Sequence, residues 1–256
     1  MAEVVIVPDA EAAGTLVADV IRKLVAAKPD AVLGLATGSS PLAVYRALVA
    51  HHGDMSRVRG FALDEYVGIA KDHPQSYRTV ITREVVEPLG LTPELVHVPG
   101  DDGPIQTAGL DYEWAIRKAG GIDVQLLGIG RSGHIGFNEP GSSFGSLTRV
   151  KTLTEVTRAD NARFFDSIDD VPTHCITQGL GTIARAEHLV LLAFGEAKAE
   201  AIQAAVEGPL TASVPASAIQ LHRNVTVVVD DAAASRLAYA DYYRYAWTNR
   251  LPWETL

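Results

Sequence analysis

Six short runs of Val, Ile and Leu restrict the fold more than any other feature: "EVVIV", "AVLGLATG", "VRGFALDEY", "IDVQLLGIG", "HLVLLAF" and "NVTVVVDD". A strand with one wet face alternates apolar and polar residues, and most of these runs do not. They must be covered on both faces. Covering elements stand between them. "DAEAAGTLVADVIRKLVAAKPD" sets Ala12, Leu16, Val20 and Leu24 on one side of a helix. Helical patterns also run through "SPLAVYRALVAHH", from Ser76 to Glu87, from "VHVPGDDG" to "RKAGG", and through "EAKAEAIQAAVEG" and "AAASRLAYADYYRYA". Doubly buried strands separated by helices make a parallel sheet with crossover connections. The expected fold is therefore α/β: a three-layer, doubly wound, mostly parallel sheet of Rossmann-type topology. No repeat, low-complexity tract or rich linker divides the chain, so residues 1–256 read as one domain, with about 148–177 as a small lid or insertion.

The 256 residues suffice for one large core. A formal net charge of −9 argues against wholesale binding to nucleic acid or an anionic membrane. It permits an anionic small ligand, because backbone N–H groups and a few cations reverse the sign locally. The single cysteine, Cys175, excludes an internal disulfide and suits a reducing compartment. Met1-Ala2-Glu3 opens without the basic residues of a signal peptide, and no apolar run nears the roughly 20 residues of a membrane span. A cytoplasmic location is expected.

Ligands of open parallel sheets sit beyond the carboxyl ends of the strands, where three polar stretches fall. In "GLATGSSPLAVY", Thr37, Gly38, Ser39 and Ser40 join a strand to a helix, with Pro41 read as the first helical residue. Such a bend presents free N–H groups and a positive dipole end to an anion such as phosphate, or is only a capped turn. It matches neither a Walker A loop nor the dinucleotide fingerprint. In "FALDEYVG", Asp64 at the strand end is a carboxylate able to take a proton from carbon if burial raises its pKa, or else a turn cap. Asp64 and Glu65 point to opposite faces and should differ in role. "GIGRSGHIGFNEP" carries His134 and Glu139 among Gly128, Gly130 and Gly133, glycines that let backbone approach a ligand. A carboxylate near the imidazole would raise its pKa toward neutrality and make it a proton shuttle. The remaining histidines are scattered and no His/Cys ligand spacing occurs, so no metal site is expected. Arg158, Arg163 and Lys198 are ordinary helix cations in most contexts. Lys198, however, opens a helix at the carboxyl edge, where a cation is electrostatically misplaced unless an anion joins it.

Together "GLATGSSPLAVY", "FALDEYVG", "HPQSY", "LLGIGRSGHIGFNEPGSS", "TRVKTLT", "NARFFD", "ITQGLGTI" and "AIQAAVEG", in this order over nearly the whole chain, resemble the glucosamine-6-phosphate deaminase family, of the NagB-type fold. "GHIGFNEP" is the most specific segment. The resemblance implies an amino-sugar-phosphate substrate, glucosamine 6-phosphate, converted with water to fructose 6-phosphate and ammonia in amino-sugar catabolism, without metal or organic cofactor. It implies that His134 opens the pyranose ring with Glu139 orienting it, and that Asp64 carries hydrogen from C2 to C1. Thr37, Gly38, Ser39, Arg163 and Lys198 would hold the phosphate. Some members have an Asp two residues before the histidine; here Ser132 stands there, able to hydrogen-bond but without charge. Hexameric members are activated by N-acetylglucosamine 6-phosphate, and Ser142, Arg149 and Lys151 match their effector-phosphate residues, so the family pattern admits a homo-oligomer, hexamer, or a monomer. Two other readings share the scaffold. A 6-phosphogluconolactonase would not need both Asp64 in "LDEY" and Glu139 in "FNEP". A sugar-phosphate sensor without catalysis is opposed by the acid–base groups.

Overall fold

In the computed structural model, residues 3–51, 53–101, 103–251, 253, 254 and 256 are described. Met1 and Ala2, read above as lacking a leader, lie outside them. The strands are β1 (Glu3–Val7), β2 (Val32–Leu35), β3 (Arg59–Ala62), β4 (Asp64–Tyr66), β5 (Val96–His97), β6 (Val124–Gly128), β7 (Arg149–Thr152), β8 (His174–Thr177), β9 (His188–Ala193) and β10 (Val225–Asp230). Seven form a sheet in the order β1-β10-β9-β6-β2-β3-β5, every pairing parallel. β2, β9 and most of β10 are buried throughout, as strands covered on both faces must be. From β2 the chain moves outward through β3 to β5, returns to β6 beside β2, then moves the opposite way through β9 and β10. The β2–β6 seam is the topological switch point, and the crevice beyond its carboxyl end is where such sheets bind ligands.

The expected strand "VRGFALDEY" divides. β3 stays in the parallel sheet, while β4 joins a second, antiparallel sheet of order β4-β8-β7. Leu63 is the pivot, its N–H on Leu35 (2.9 Å) in the large sheet and its carbonyl accepting from Gln178 (2.7 Å) at the end of β8. Hydrophobic runs report burial and not which sheet buries them, so the break at Leu63 was invisible. The 148–177 segment supplies β7 and β8 of this sheet, with the helix Glu155–Asn161 between them. It thus pairs directly with the strand that carries Asp64. A small separate core of Tyr66, Phe137, Leu153, Val171 and Cys175 fills the sheet's inner side.

Two helix readings shift. In the helix Ala10–Ala27 the buried line is Ala13, Gly14, Val17, Ala18, Ile21 and Val25, and Ala12, Leu16, Val20 and Leu24 flank it half-buried. Small residues at its centre let the helix lie close against the helix Ser39–Ala50, its most extensive partner. After β10, helix begins only at Ala240, residues 231–236 and 238–239 being turns. A buried carboxylate also ties Thr148, at the start of the 148–177 segment, to the large sheet's covering layer. Glu113 accepts from Thr148 N and Oγ1 (2.9 and 2.6 Å) and pairs with Arg185.

Candidate active site

Four neighbouring strands, β3, β2, β6 and β9, carry Asp64, the Thr37–Ser39 bend, the His134 loop and Lys198 beyond their carboxyl ends. After β2, Gly38 caps the helix Ser39–Ala50 with no side-chain cap, leaving the first-turn N–H groups open, and Gly38 and Ser39 are exposed. That is the geometry of an anion cradle. The helix begins at Ser39, so Pro41 is its third residue and not its first; there too it removes an N–H that has no helical partner.

Asp64 follows β3 and is buried, 6% exposed. Desolvation is the main cause that pushes its carboxyl up to about 8, the Glu65 charge adds to it, and a hydrogen bond from Phe137 N–H opposes it. Glu65 faces elsewhere. Its carboxylate accepts from the N–H groups of Tyr66 (2.7 Å), Tyr77 (3.0 Å) and Arg78 (2.9 Å), capping the helix Tyr77–Ile81. The capping role weighed for Asp64 belongs to its neighbour.

The loop after β6 folds against Asp64. Gly136, at φ +53°, brings its backbone so close that a Cβ would stand 2.9 Å from Thr177 Oγ1 and 3.4 Å from Asp64 Oδ2. Asn138, wholly buried, donates to the carbonyls of Ile135 (2.9 Å) and Gln178 (2.8 Å) and locks the loop to the end of β8. Two of the loop's glycines pack tightly on protein: a Cβ on Gly130 would strike the His134 ring at 2.1 Å, and one on Gly133 would meet Val214 at 2.7 Å.

His134 Nδ1 sits 2.9 Å from Ser132 Oγ and 3.6 Å from Glu139 Oε2. Glu139 Oε1 accepts from Thr154 Oγ1 (3.1 Å) and N (3.3 Å), while Oε2 has no hydrogen bond among the described residues and faces the imidazole. The Glu139 charge acts to raise the His134 pKa, as expected, but does not set the net direction. Desolvation by burial outweighs it and the net shift is downward, which favours the neutral imidazole, the form able to accept a proton.

After β9, Lys198 lies in the turn Glu196–Lys198 and caps the helix Ala199–Val206 from outside its first residue. Its Nζ donates to the Ile129 carbonyl at 2.7 Å, and burial lowers its pKa, with Asp160, Arg163 and Arg131 all acting on its charge. Arg163 is exposed beside it in sequence-distant chain, in the turn Ala162–Phe164, its guanidinium 4.7 Å over the Phe164 ring. Arg158, in contrast, donates to the carbonyls of Ile168 (2.8 Å) and Val171 (3.0 Å) and is structural. Of the effector candidates, Arg149 donates to Ser142 Oγ (3.3 Å) and Asn138 Oδ1 (2.8 Å), and Lys151 stands two residues along β7 on the same face.

Several participants went unread. Tyr77 hydrogen-bonds Thr37, lies 3.5 Å from the Tyr66 hydroxyl and stacks on Phe137, so it joins the anion cradle, the Asp64 strand and the catalytic loop. "HPQSY" was the available signal. Thr154, which holds Glu139 and also caps the helix Glu155–Asn161, had none in its own surroundings. The Ser132 contact carries a prediction. Ser132→Asp places a negative charge on His134 Nδ1 and should raise the histidine pKa by about 1–2 units, measured by NMR titration of the imidazole; an unchanged or lower value would contradict the contact's role.

The geometry agrees with comparisons to known proteins. The family described as glucosamine-6-phosphate isomerases/6-phosphogluconolactonase matches residues 9–228. A protein named glucosamine-6-phosphate deaminase in Bifidobacterium longum subsp. infantis is 59% identical over 268 residues, covering 99% of each chain. The structure of a monomeric glucosamine-6-phosphate deaminase superposes with a TM-score of 0.88 at 40% identity, over 91% of this chain and 99% of that one. A 6-phosphogluconolactonase from Leishmania guyanensis, at TM-score 0.71 and 21% identity over 91% and 98%, shares the fold alone. This chain belongs to the glucosamine-6-phosphate deaminase family.

Proposed function

We infer that the chain is an enzyme that converts glucosamine 6-phosphate and water to fructose 6-phosphate and ammonia. One observation carries the residue roles: a buried carboxyl of raised pKa, Asp64, meets the backbone of the loop that holds a neutral imidazole and its carboxylate, His134 and Glu139. The substrate phosphate is held by the N–H groups around Thr37, Gly38 and Ser39, with Lys198 and Arg163 supplying charge. His134 takes the proton of the anomeric hydroxyl and returns one to the ring oxygen, which opens the ring. Glu139 and Ser132 share its Nδ1 side and stabilise the imidazolium formed between those transfers.

Asp64 then works on the open chain. As carboxylate it removes the proton at C2, beside the aldehyde, while a proton of the C2 ammonium passes to O1, leaving a neutral enolamine. As carboxylic acid it returns that proton to C1, and C2 becomes an iminium. Water adds to C2 and ammonia leaves, giving the ketose. A carboxyl pushed toward 8 is a far stronger base than a solvated aspartate, and the cationic amine at C2 favours its ionised form on binding. The alternatives fit less well. A lactonase has no hydrogen to carry between adjacent carbons, and a sensor gains nothing from a destabilised carboxyl. The 148–177 segment bears Arg163 and Thr154 and acts as the lid of this site. Among the described residues no helix is long and apolar enough to cross a membrane, and a cytoplasmic location suits a chain with one buried thiol.

Asp64→Asn should lower the rate of ammonia release by about 10³-fold or more while the protein still binds the substrate, because the base is lost and the volume kept. The wild-type kcat/KM should rise with pH through a midpoint near 8, since the base must lose its proton first. A midpoint near 4, or an active Asn variant, would contradict the assignment. Ser142, Arg149 and Lys151 form the second site, for an effector's phosphate, and Arg149 joins it to Asn138 and so to the catalytic loop. N-acetylglucosamine 6-phosphate should therefore lower the substrate concentration for half-maximal velocity, and Arg149→Ala should abolish that response. Hyperbolic kinetics indifferent to this ligand would dismiss the site and the oligomer it implies.

A further inference from the structure

Arg131 stands between Gly130 and Ser132 on the catalytic loop, a position that the mechanism leaves unused. Its guanidinium grips Asp160 with both arms, Nε to Oδ2 at 3.2 Å and Nη2 to Oδ1 closer. Asp160 belongs to the helix Glu155–Asn161 of the lid segment, and Arg163 follows it by three residues. Lys198 is bound to Ile129, two residues before Arg131, and its charge responds to Arg131, Arg163 and Asp160 together. Three cations and one carboxylate thus act on one another's charge beside the ends of β6 and β9, where the preceding reading seats the phosphate.

Such a cluster needs an anion. Without one, Arg131, Arg163 and Lys198 repel each other, and Asp160 is the internal partner that relieves this. A phosphate dianion offers the guanidinium the same two-oxygen face as a carboxylate, with more charge. The present pair is also easy to open. Its side chains are 57% and 34% exposed, and pairs of this kind contribute little net stability, so released Asp160 can turn to water. We propose that Arg131 is a third cation for the substrate's phosphate, kept in place by Asp160, which yields it when phosphate arrives. The proposal rests on the deaminase reading only for the position of the phosphate. Asp160 then sets a threshold: a monoanion or neutral sugar cannot displace it, and a dianion can. Its place on the lid segment also makes that segment's tie to the catalytic loop depend on ligand.

Binding of inorganic phosphate to the whole chain by calorimetry tests this apart from catalysis. Arg131→Ala should weaken phosphate about tenfold and raise KM for glucosamine 6-phosphate more than it lowers kcat. Asp160→Asn should act in the opposite direction, tightening phosphate several-fold, because the competitor is gone. Asp169→Asn removes the same charge from the exposed turn Ile168–Asp170 of the same segment and controls for the general field. In the Arg131→Ala background, Asp160→Asn should do no more than this control. Arg131→Lys, which keeps charge without the fork, should fall between wild type and alanine. If Arg131→Ala and Asp160→Asn weaken phosphate alike, or neither moves it, the pair is only a structural strap and the proposal is overturned. Failure of the two readings is distinguishable. An active wild type with phosphate binding indifferent to these changes removes this inference alone, and opposed phosphate shifts in a protein that releases no ammonia remove the deaminase reading alone.

Discussion

The parallel pairing of β2 with β6 is the constraint on which the site depends. The chain winds outward in opposite directions from this seam, so the loops leaving β2 and β6 cannot be covered by a crossover and open into a crevice. The flanking strand β3 ends level with β2, and β9 ends one residue beyond its last pairing with β6. Asp64, the Thr37–Ser39 bend, the His134 loop and Lys198 are far apart in sequence but come from four consecutive strands of one sheet. Hydrophobic burial of the strands on both faces therefore fixes the rim independently of the polar contacts made there.

The second constraint is the turn at Leu63. By leaving the parallel sheet one residue before Asp64, the chain places this carboxyl between the two sheets, opposite Thr177 and under Gly136. That position has a cost. A carboxyl whose pKa is raised on folding binds its proton more tightly folded than unfolded, so its contribution to stability falls as pH rises from the ordinary carboxylate range to about 8 and stays lost above it. His134 works in the other direction. Its lowered pKa means that stability falls as acid protonates the unfolded chain's imidazole, below its ordinary range. The aromatic set of Tyr66, Tyr77, Phe137 and Phe165 and the Asn161–Tyr66 hydrogen bond (3.0 Å) hold the two sheets and the lid helix around these strained ionisations.

Much of this was legible in the chain. Unbroken apolar runs gave six of the strands, and Gly, Ser and Thr clusters at their ends gave the rim, because burial and turn chemistry are local properties. That Asp64 and Glu65 face different ways followed from strand geometry alone. Other features arise only when distant segments meet. The pKa of His134 depends on how fully Gly130 and its neighbours bury the ring, which no spacing between His134 and Glu139 reveals. Thr154 holds Glu139 from across the lid segment, and Tyr77 reaches Thr37 across forty positions of chain. Likewise nothing in the sequence around Arg131 marks Asp160, 29 residues on, as its partner.

The central claim is that one shielded carboxyl carries the same hydrogen from C2 to C1. Glucosamine 6-phosphate labelled with deuterium at C2 tests this when turned over in ordinary water, with the fructose 6-phosphate analysed at C1. Retention of part of the label at C1 is predicted, since Asp64 is buried and exchanges its proton slowly relative to return. Product carrying only solvent hydrogen at C1 would mean that the proton passes through water or separate groups, and would contradict the account.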